Sequence, residues 1–357
     1  MADYELPGDW SLEPSMRPLS EQLDWSQKFM GIPSLLRQTM GEGIIIAFLD
    51  TGVDETHPDL KGQILDVADF TGSMYGARDV LGHGTWVTGC CVANSKNDWG
   101  ISGLCSSAKA LCYKVMSENG RGNDQMLIKG IERAGERGAH IISFSGGGPV
   151  LPDTVRDAAK QFIKAGGRFL FAAAGNDGRP NSVNKPAAWP EWIPIGACNE
   201  KGELTDFTSR GPELTSRGIV CPGYEMISTA PGGGFARMSG TSMACPTAAG
   251  VAALLLARDA QTPQVVTIKN QEDMRELMRG SATTKTTGPE SFALINPEAA
   301  MKRLDAPSPK EQQVWHGPGG IRIIWPAASG STLEIDLPRG PMSEMITAAL
   351  EDQIQAA

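Results

Sequence analysis

The chain predicts an α/β fold, a parallel doubly wound sheet with helices on both faces. Two observations carry this. From about Gly43, short runs rich in Val and Ile alternate with segments of helical period, the pattern of a parallel sheet covered on both faces. Four chemistry-bearing residues, Asp50, His83, Asn176 and Ser242, stand just after such runs or at the start of helical segments. That is where functional side chains gather in sheets of this kind.

The elements follow in order. Residues 1–28 are polar, hold Pro7, Pro14 and Pro18, and read as an irregular N-terminal arm. Strands are expected over 44–49, 110–116, 140–144, 169–173, 193–198 and 218–221, where β-branched and other apolar residues cluster. Helices are expected over 83–93, 124–137, 153–165, 242–259 and 271–280. These elements form one domain over residues 29–304. Near Ala306-Pro307-Ser308-Pro309 the character changes to that of a linker. Residues 305–357 then read as a C-terminal extension, with a hairpin of 320–325 and 331–337 and a helix over 343–355. So few residues make a marginal core. The extension is therefore expected to pack on the main domain or on a second copy of the chain, as a homo-oligomer.

The composition bounds the function. Of 357 residues, 41% are hydrophobic and 20% charged, which suits a large globular core. A net charge of −9 argues against a nucleic-acid binder, which needs a basic face. The N-terminal stretch lacks a basic start and an apolar core, so no secretory signal is expected. The apolar runs at 44–48 and 251–257 are short for a bilayer, so no membrane partner is expected. Seven cysteines is an odd count, several fall in apolar patterns, and paired C-x-x-C units are missing. Reduced, buried thiols in a cytoplasmic protein explain this better than disulfides or structural zinc.

The chemistry starts at Gly240-Thr241-Ser242-Met243-Ala244-Cys245-Pro246. Ser242 opens a predicted helix, where free N–H groups and the positive dipole end favour developing negative charge. A serine hydroxyl needs a neighbouring base to attack anything, and the base needs an orienting acid. His83 in Gly82-His83-Gly84-Thr85 supplies the base; Asp50 in Asp50-Thr51-Gly52 supplies the acid. Singly, each has an ordinary structural use: a turn carboxylate for Asp50, helix caps for His83 and Ser242.

These three segments resemble the signatures of the subtilisin-like serine proteases. The likeness runs from about Gly41 to Ala300. It includes His57-Pro58-Asp59-Leu60, Ala172-Ala173-Ala174-Gly175-Asn176 and Phe207-Thr208-Ser209-Arg210-Gly211-Pro212. It implies the subtilisin-like sheet and a serine endopeptidase acting on protein or peptide substrates through an acyl-enzyme. No cofactor is needed for that chemistry. By the resemblance Asn176 donates to the oxyanion, together with the Ser242 backbone N–H. Two glycine-bearing segments match the cleft edges: Gly120, Arg121 and Gly122, and Ser145, Gly146 and Gly147. A peptide would add between them as a strand. Ala173, Ala174, Gly175 and Asp177 are expected around the pocket for the residue before the scissile bond, with Asp177 drawing a basic or polar side chain. Arg121 points to acidic residues further upstream.

The resemblance also places a structural calcium ion at Asp59 and Asn97; a solvated loop is the alternative. The length of the arm matches the short pro-arm of intracellular relatives. Tyr4 to Trp10, with Leu6-Pro7, is expected near or across the cleft, in zymogen fashion. Trp86 and Thr247 stand where relatives commonly carry histidine. Two other functions stay open: a dedicated maturase of one peptide precursor, and a catalytically silent relative that binds peptides.

Overall fold

The computed structural model describes residues 3–6, 13–15, 23–95, 97, 99–166, 168–261, 267–288, 290–305, 313–317, 320–326, 332–337 and 340. The chain divides into two compact units, residues 1–300 and 301–357. In the first unit two short strands, β1 (Asp3–Glu5) and β2 (Glu13–Ser15), precede two short helices, α1 (Trp25–Phe29) and α2 (Ile32–Leu35). The alternating part follows: β3 (Ile45–Asp50), β4 (Ile64–Asp69), α3 (His83–Val92), β5 (Lys109–Lys114), β6 (Arg121–Asn123), α4 (Asp124–Glu136), β7 (Ile141–Phe144), α5 (Asp153–Lys164), β8 (Phe169–Ala173) and β9 (Ile193–Cys198). Next come α6 (Pro212–Arg217), β10 (Ile219–Pro222), the hairpin of β11 (Met226–Ala230) and β12 (Gly234–Met238), and α7 (Thr241–Ala260). Last are α8 (Gln271–Gly280), β13 (Thr283–Thr287) and β14 (Glu290–Leu294); α9 (Pro297–Asp305) runs across the boundary into the second unit.

Nine strands form one sheet in the order β13-β14-β10-β9-β8-β7-β3-β5-β4. Every pair is parallel except the edge pair β13–β14. The predicted parallel sheet is thus observed. All six strands and all five helices expected in this unit appear, with ends moved by a residue or two. The added pieces had weaker signals. Edge strand β4 carries two acids among its apolar residues and is largely half-exposed, and β13 is polar and exposed throughout. Central strands β7, β8 and β9 are buried at every position, as both-face coverage requires.

Helix α7 runs through the core, packed on α3, β7, β8, β9 and β10. By length and composition it could cross a membrane, a match that single apolar runs had not suggested, but it is 89% buried inside the fold. It carries Pro246 in its interior. Proline there removes the N–H that would bond the carbonyl of Ser242, four residues earlier. That carbonyl accepts instead from the Ser145 hydroxyl at 2.8 Å.

In the second unit β15 (Gln313–Gly317), β16 (Gly320–Pro326) and β17 (Thr332–Leu337) make an antiparallel meander. The expected hairpin is its β16–β17 part. The helix expected over 343–355 lies outside the described residues.

Candidate active site

Asp50 is the last residue of β3, so its side chain stands at the carboxyl edge of the sheet. His83 is the first residue of α3. The two meet because Gly84 and Gly52 let the backbones touch: a Cβ on Gly84 would lie 2.1 Å from the Gly52 carbonyl oxygen. His83 Nδ1 is 2.7 Å from Asp50 Oδ1, with both side chains buried. Asp50 Oδ1 also accepts the Thr51 N–H at 2.7 Å, which fixes the carboxylate. An N–H on Nδ1 facing the acid leaves Nε2 as the basic nitrogen.

A residue that sequence reading passed over organises this junction. Asp79 is buried and collects five donors. The Thr51 hydroxyl and the N–H groups of Leu81 and Gly82 reach Oδ1; the N–H and hydroxyl of Thr85 reach Oδ2. Gly82, at the N-cap of α3, has no side chain to cap it, and Asp79 fills that role from three residues upstream. Burial raises the Asp79 carboxyl above its ordinary range, against the pull of the Gly82 and Thr85 donors. Its spacing in Asp79-Val80-Leu81-Gly82-His83 was the available sign.

Ser242 lies in the first turn of α7 and is buried. Its hydroxyl donates to the Ser145 carbonyl at 3.2 Å, while the Ser145 hydroxyl donates back to the Ser242 carbonyl. The nucleophile candidate is therefore tied to the strand end expected to form one cleft edge. Helices α3 and α7, which carry His83 and Ser242, pack against each other. Asn176 follows β8, and its side-chain oxygen accepts from the N–H and hydroxyl of Thr241 at 2.9 and 2.8 Å. This orients the amide through its oxygen, one residue from Ser242.

The two segments expected at the cleft edges face each other across the N-terminal arm. Strand β1 pairs antiparallel with β6, matching Tyr4 to Gly122 and Glu5 to Arg121. On its other side Glu5 exchanges two backbone hydrogen bonds with Gly147, each 3.1 Å, and the Leu6 N–H donates to the Gly120 carbonyl at 3.0 Å. Gly146 lies between, against Phe144. Residues 3–6 of the arm thus lie against the two segments expected at the cleft edges; Pro7 to Trp10 lie outside the described residues.

A cavity of about 370 Å³ opens beside the arm, lined among others by Asn176, Asp177, Arg179 and Asn184. Ala173 and Ala174, expected around the pocket, are buried. The Asn184 amide lies 2.6 Å from where a Gly175 Cβ would stand. Arg179, also unremarked in the sequence, lies 3.5 Å from the Asp177 carboxylate and offsets its charge.

Asp59 is fully buried, and the Asn97 side-chain NH₂ and the Ile101 N–H reach its two oxygens at 2.6 and 3.0 Å. Burial raises its pKa, partly opposed by those bonds. A Cβ on Gly100 would sit 2.1 Å from this carboxylate, so the loop closes tightly over it. Asn97 turns its NH₂ to this carboxylate while its oxygen accepts the Trp99 N–H at 3.3 Å, so the pair would serve a hard cation only with the amide turned over to present oxygen. Trp86 is fully buried, its indole N–H donating to the Ala236 carbonyl at 2.9 Å. Thr247 donates to the Met243 carbonyl. Both fill the α3–α7 neighbourhood as packing residues.

A sequence model of the subtilase family matches residues 41–296. The chain is 38% identical over 224 residues to the major intracellular serine protease of Bacillus subtilis, covering 60% of this chain and 69% of that protein. It is 37% identical over 231 residues to an intracellular serine protease of Paenibacillus polymyxa, covering 62% and 69%. Against subtilisin BL of Lederbergia lenta it is 33% identical over 267 residues, covering 74% of this chain and 93% of that one. With a parallel sheet, a buried Asp–His pair at its edge and a serine opening the core helix, the chain belongs to the subtilase family and is a subtilisin-like serine endopeptidase.

Proposed function

We propose that this endopeptidase works through an acyl-enzyme formed on Ser242 and that residues 3–6 hold its groove in a latent state. His83 Nε2 takes the Ser242 proton as the hydroxyl attacks the peptide carbonyl, then gives it to the leaving amine. Asp50 orients the imidazole and stabilises its charged form. The Asn176 NH₂ and the Ser242 N–H stabilise the oxyanion, which develops only in the transition state. The 2.7 Å contact between His83 and Asp50 inside the protein carries this reading. Labelling by a fluorophosphonate, abolished in Ser242→Ala, tests it. Labelling that survives in Ser242→Ala rejects the assigned nucleophile.

The substrate lies between β6 and the Ser145–Gly146–Gly147 segment as a third strand, as residues 3–6 do. The catalysis needs no cofactor. With the Asn97 amide turned over, Asp59 and Asn97 would hold a calcium ion that keeps the buried carboxylate ionised and pins its loop. The names of two relatives and the seven buried free thiols support a cytoplasmic site of action.

A further inference from the structure

We infer that the groove selects peptides carrying tyrosine followed by an acidic residue, three and two residues before the one whose carbonyl is attacked. This rests on the reading that residues 3–6 lie in the groove as a substrate does. The register supplies the numbering. Gly147 pairs antiparallel with Glu5. In a substrate continuing that register, the residue two beyond the one held by Gly147 stands opposite Ser145. The Ser145 carbonyl is the group bonded to the Ser242 hydroxyl, so that residue presents the carbonyl to be attacked.

Tyr4 fills a closed pocket. It is 1% exposed, and its ring packs edge-on against Phe144, with centroids 5.3 Å apart at 84°. The bottom of the pocket is polar at one point: the phenol hydroxyl donates to the Val115 carbonyl at 2.8 Å. Gly122 makes room for it, since a Cβ there would lie 2.5 Å from the hydroxyl. An apolar pocket ending in one buried acceptor reads the hydroxyl itself. Phenylalanine would fill the space and leave Val115 facing a ring edge. The next position is read by charge. Arg121 lies 2.9 Å from the Glu5 carboxylate with both side chains more than half exposed, so this preference is the weaker of the two.

The experiment has two arms. In the full chain carrying Ser242→Ala, exchange of the Glu5 and Leu6 amide hydrogens reports opening of the groove without any turnover. Tyr4→Phe is expected to speed that exchange about ten-fold, and Arg121→Glu about three-fold, with Glu5→Lys restoring protection in the Arg121→Glu background. In the active full chain, peptides differing only at these two positions are compared by kcat/KM. Tyrosine is expected about ten-fold above phenylalanine, and glutamate about three-fold above lysine, with Arg121→Glu inverting the second preference. Exchange unchanged by Tyr4→Phe, or phenylalanine matching tyrosine as substrate, overturns the inference and leaves the protease reading intact. If no peptide is cut, the protease reading fails, and the exchange arm still decides whether the groove reads the hydroxyl.

Discussion

The Asp79 carboxylate accepts the hydroxyl of Thr51 at 2.9 Å, and the same Thr51 oxygen accepts the Gly84 N–H at 2.9 Å. Through that hydroxyl the end of β3, where Asp50 sits, is joined to the first turn of α3, where His83 sits. Asp79 is a positioning residue. All five of its partners are donors, so Asp79→Asn aims an NH₂ group at N–H groups. The expected result is a loss of about 1–3 kcal/mol in stability. A displacement of His83 by a fraction of an ångström then lowers kcat by about ten- to a hundred-fold. KM is expected to move less than two-fold, because Asp79 touches no cleft edge. Steady-state kinetics beside a urea melt checks both; a rise in KM with kcat intact rejects the positioning role.

Acid stability depends on two histidines outside the site. His57 is fully buried; its Nδ1 accepts the Asp59 N–H at 3.1 Å and its Nε2 donates to the Gly234 carbonyl at 2.8 Å. That pairing admits only the neutral ring. Burial lowers its pKa below the ordinary 6.5, against the opposing pull of Gly234 and nearby carboxylates. The Nδ1 of His140 accepts the Ile45 N–H at 3.1 Å, and burial and Arg168 lower it too. A folded pKa below the unfolded one means the unfolded chain binds more protons. The stabilisation is complete above about pH 6.5 and is lost as pH falls through the folded values. Tm is expected to drop between pH 7 and pH 5, and His140→Gln to flatten that slope. A slope identical in the variant sinks the assignment.

Much of this was legible because the signals were local. Asp50, His83 and Ser242 lie in short motifs at strand and helix ends, and continuous apolar runs marked the buried strands. What escaped depends on long-range contact. Asp79 matters only because Gly82 cannot cap its own helix. Arg179 and Asn184 reach the cavity from a loop whose course no periodicity records. The hydroxyl-reading pocket could not be foreseen either, because Val115 contributes its backbone rather than its side chain.

The latent state predicts a lag. With Glu5 and Leu6 bonded to both cleft edges, the full chain is expected to start slowly on a peptide substrate and to accelerate as the arm leaves. Pro7 is expected to slow self-cleavage there, since proline fixes the backbone and removes a donor. Tyr4→Ala empties the closed pocket and is expected to shorten the lag several-fold. Mass spectrometry through the time course should show arm removal in the active chain and none in Ser242→Ala. Equal initial rates for the unaltered chain and Tyr4→Ala count against the blocked groove.

The Asp59 loop predicts a metal-dependent melting point. Burial raises the pKa of the Asp59 carboxyl, against the pull of the Ile101 and Asn97 donors. Calcium at Asp59 and Asn97 would relieve this, so chelation is expected to lower Tm by several degrees and added calcium to restore it. In Asp59→Asn the response should vanish. A melting point indifferent to chelator leaves the loop as a hydrogen-bonded turn.

Thiol reagents are expected to leave the native enzyme untouched. Cys245 sits one helical turn after Ser242, so its modification would distort the nucleophile's helix. Yet all seven cysteines are buried, and burial pushes the Cys245 thiol up to about 12, as it does Cys112 and Cys198. The reactive species is the thiolate. At pH 8, about four units below such a pKa, only about one thiol in ten thousand is ionised. What little forms is shielded by the α7–sheet packing, where the Cys245 sulfur lies 3.5 Å from the Ser143 hydroxyl. Iodoacetamide should therefore modify seven thiols only after denaturation. Loss of activity in step with labelling of a single cysteine in the folded protein would show that this helix opens to solvent during turnover.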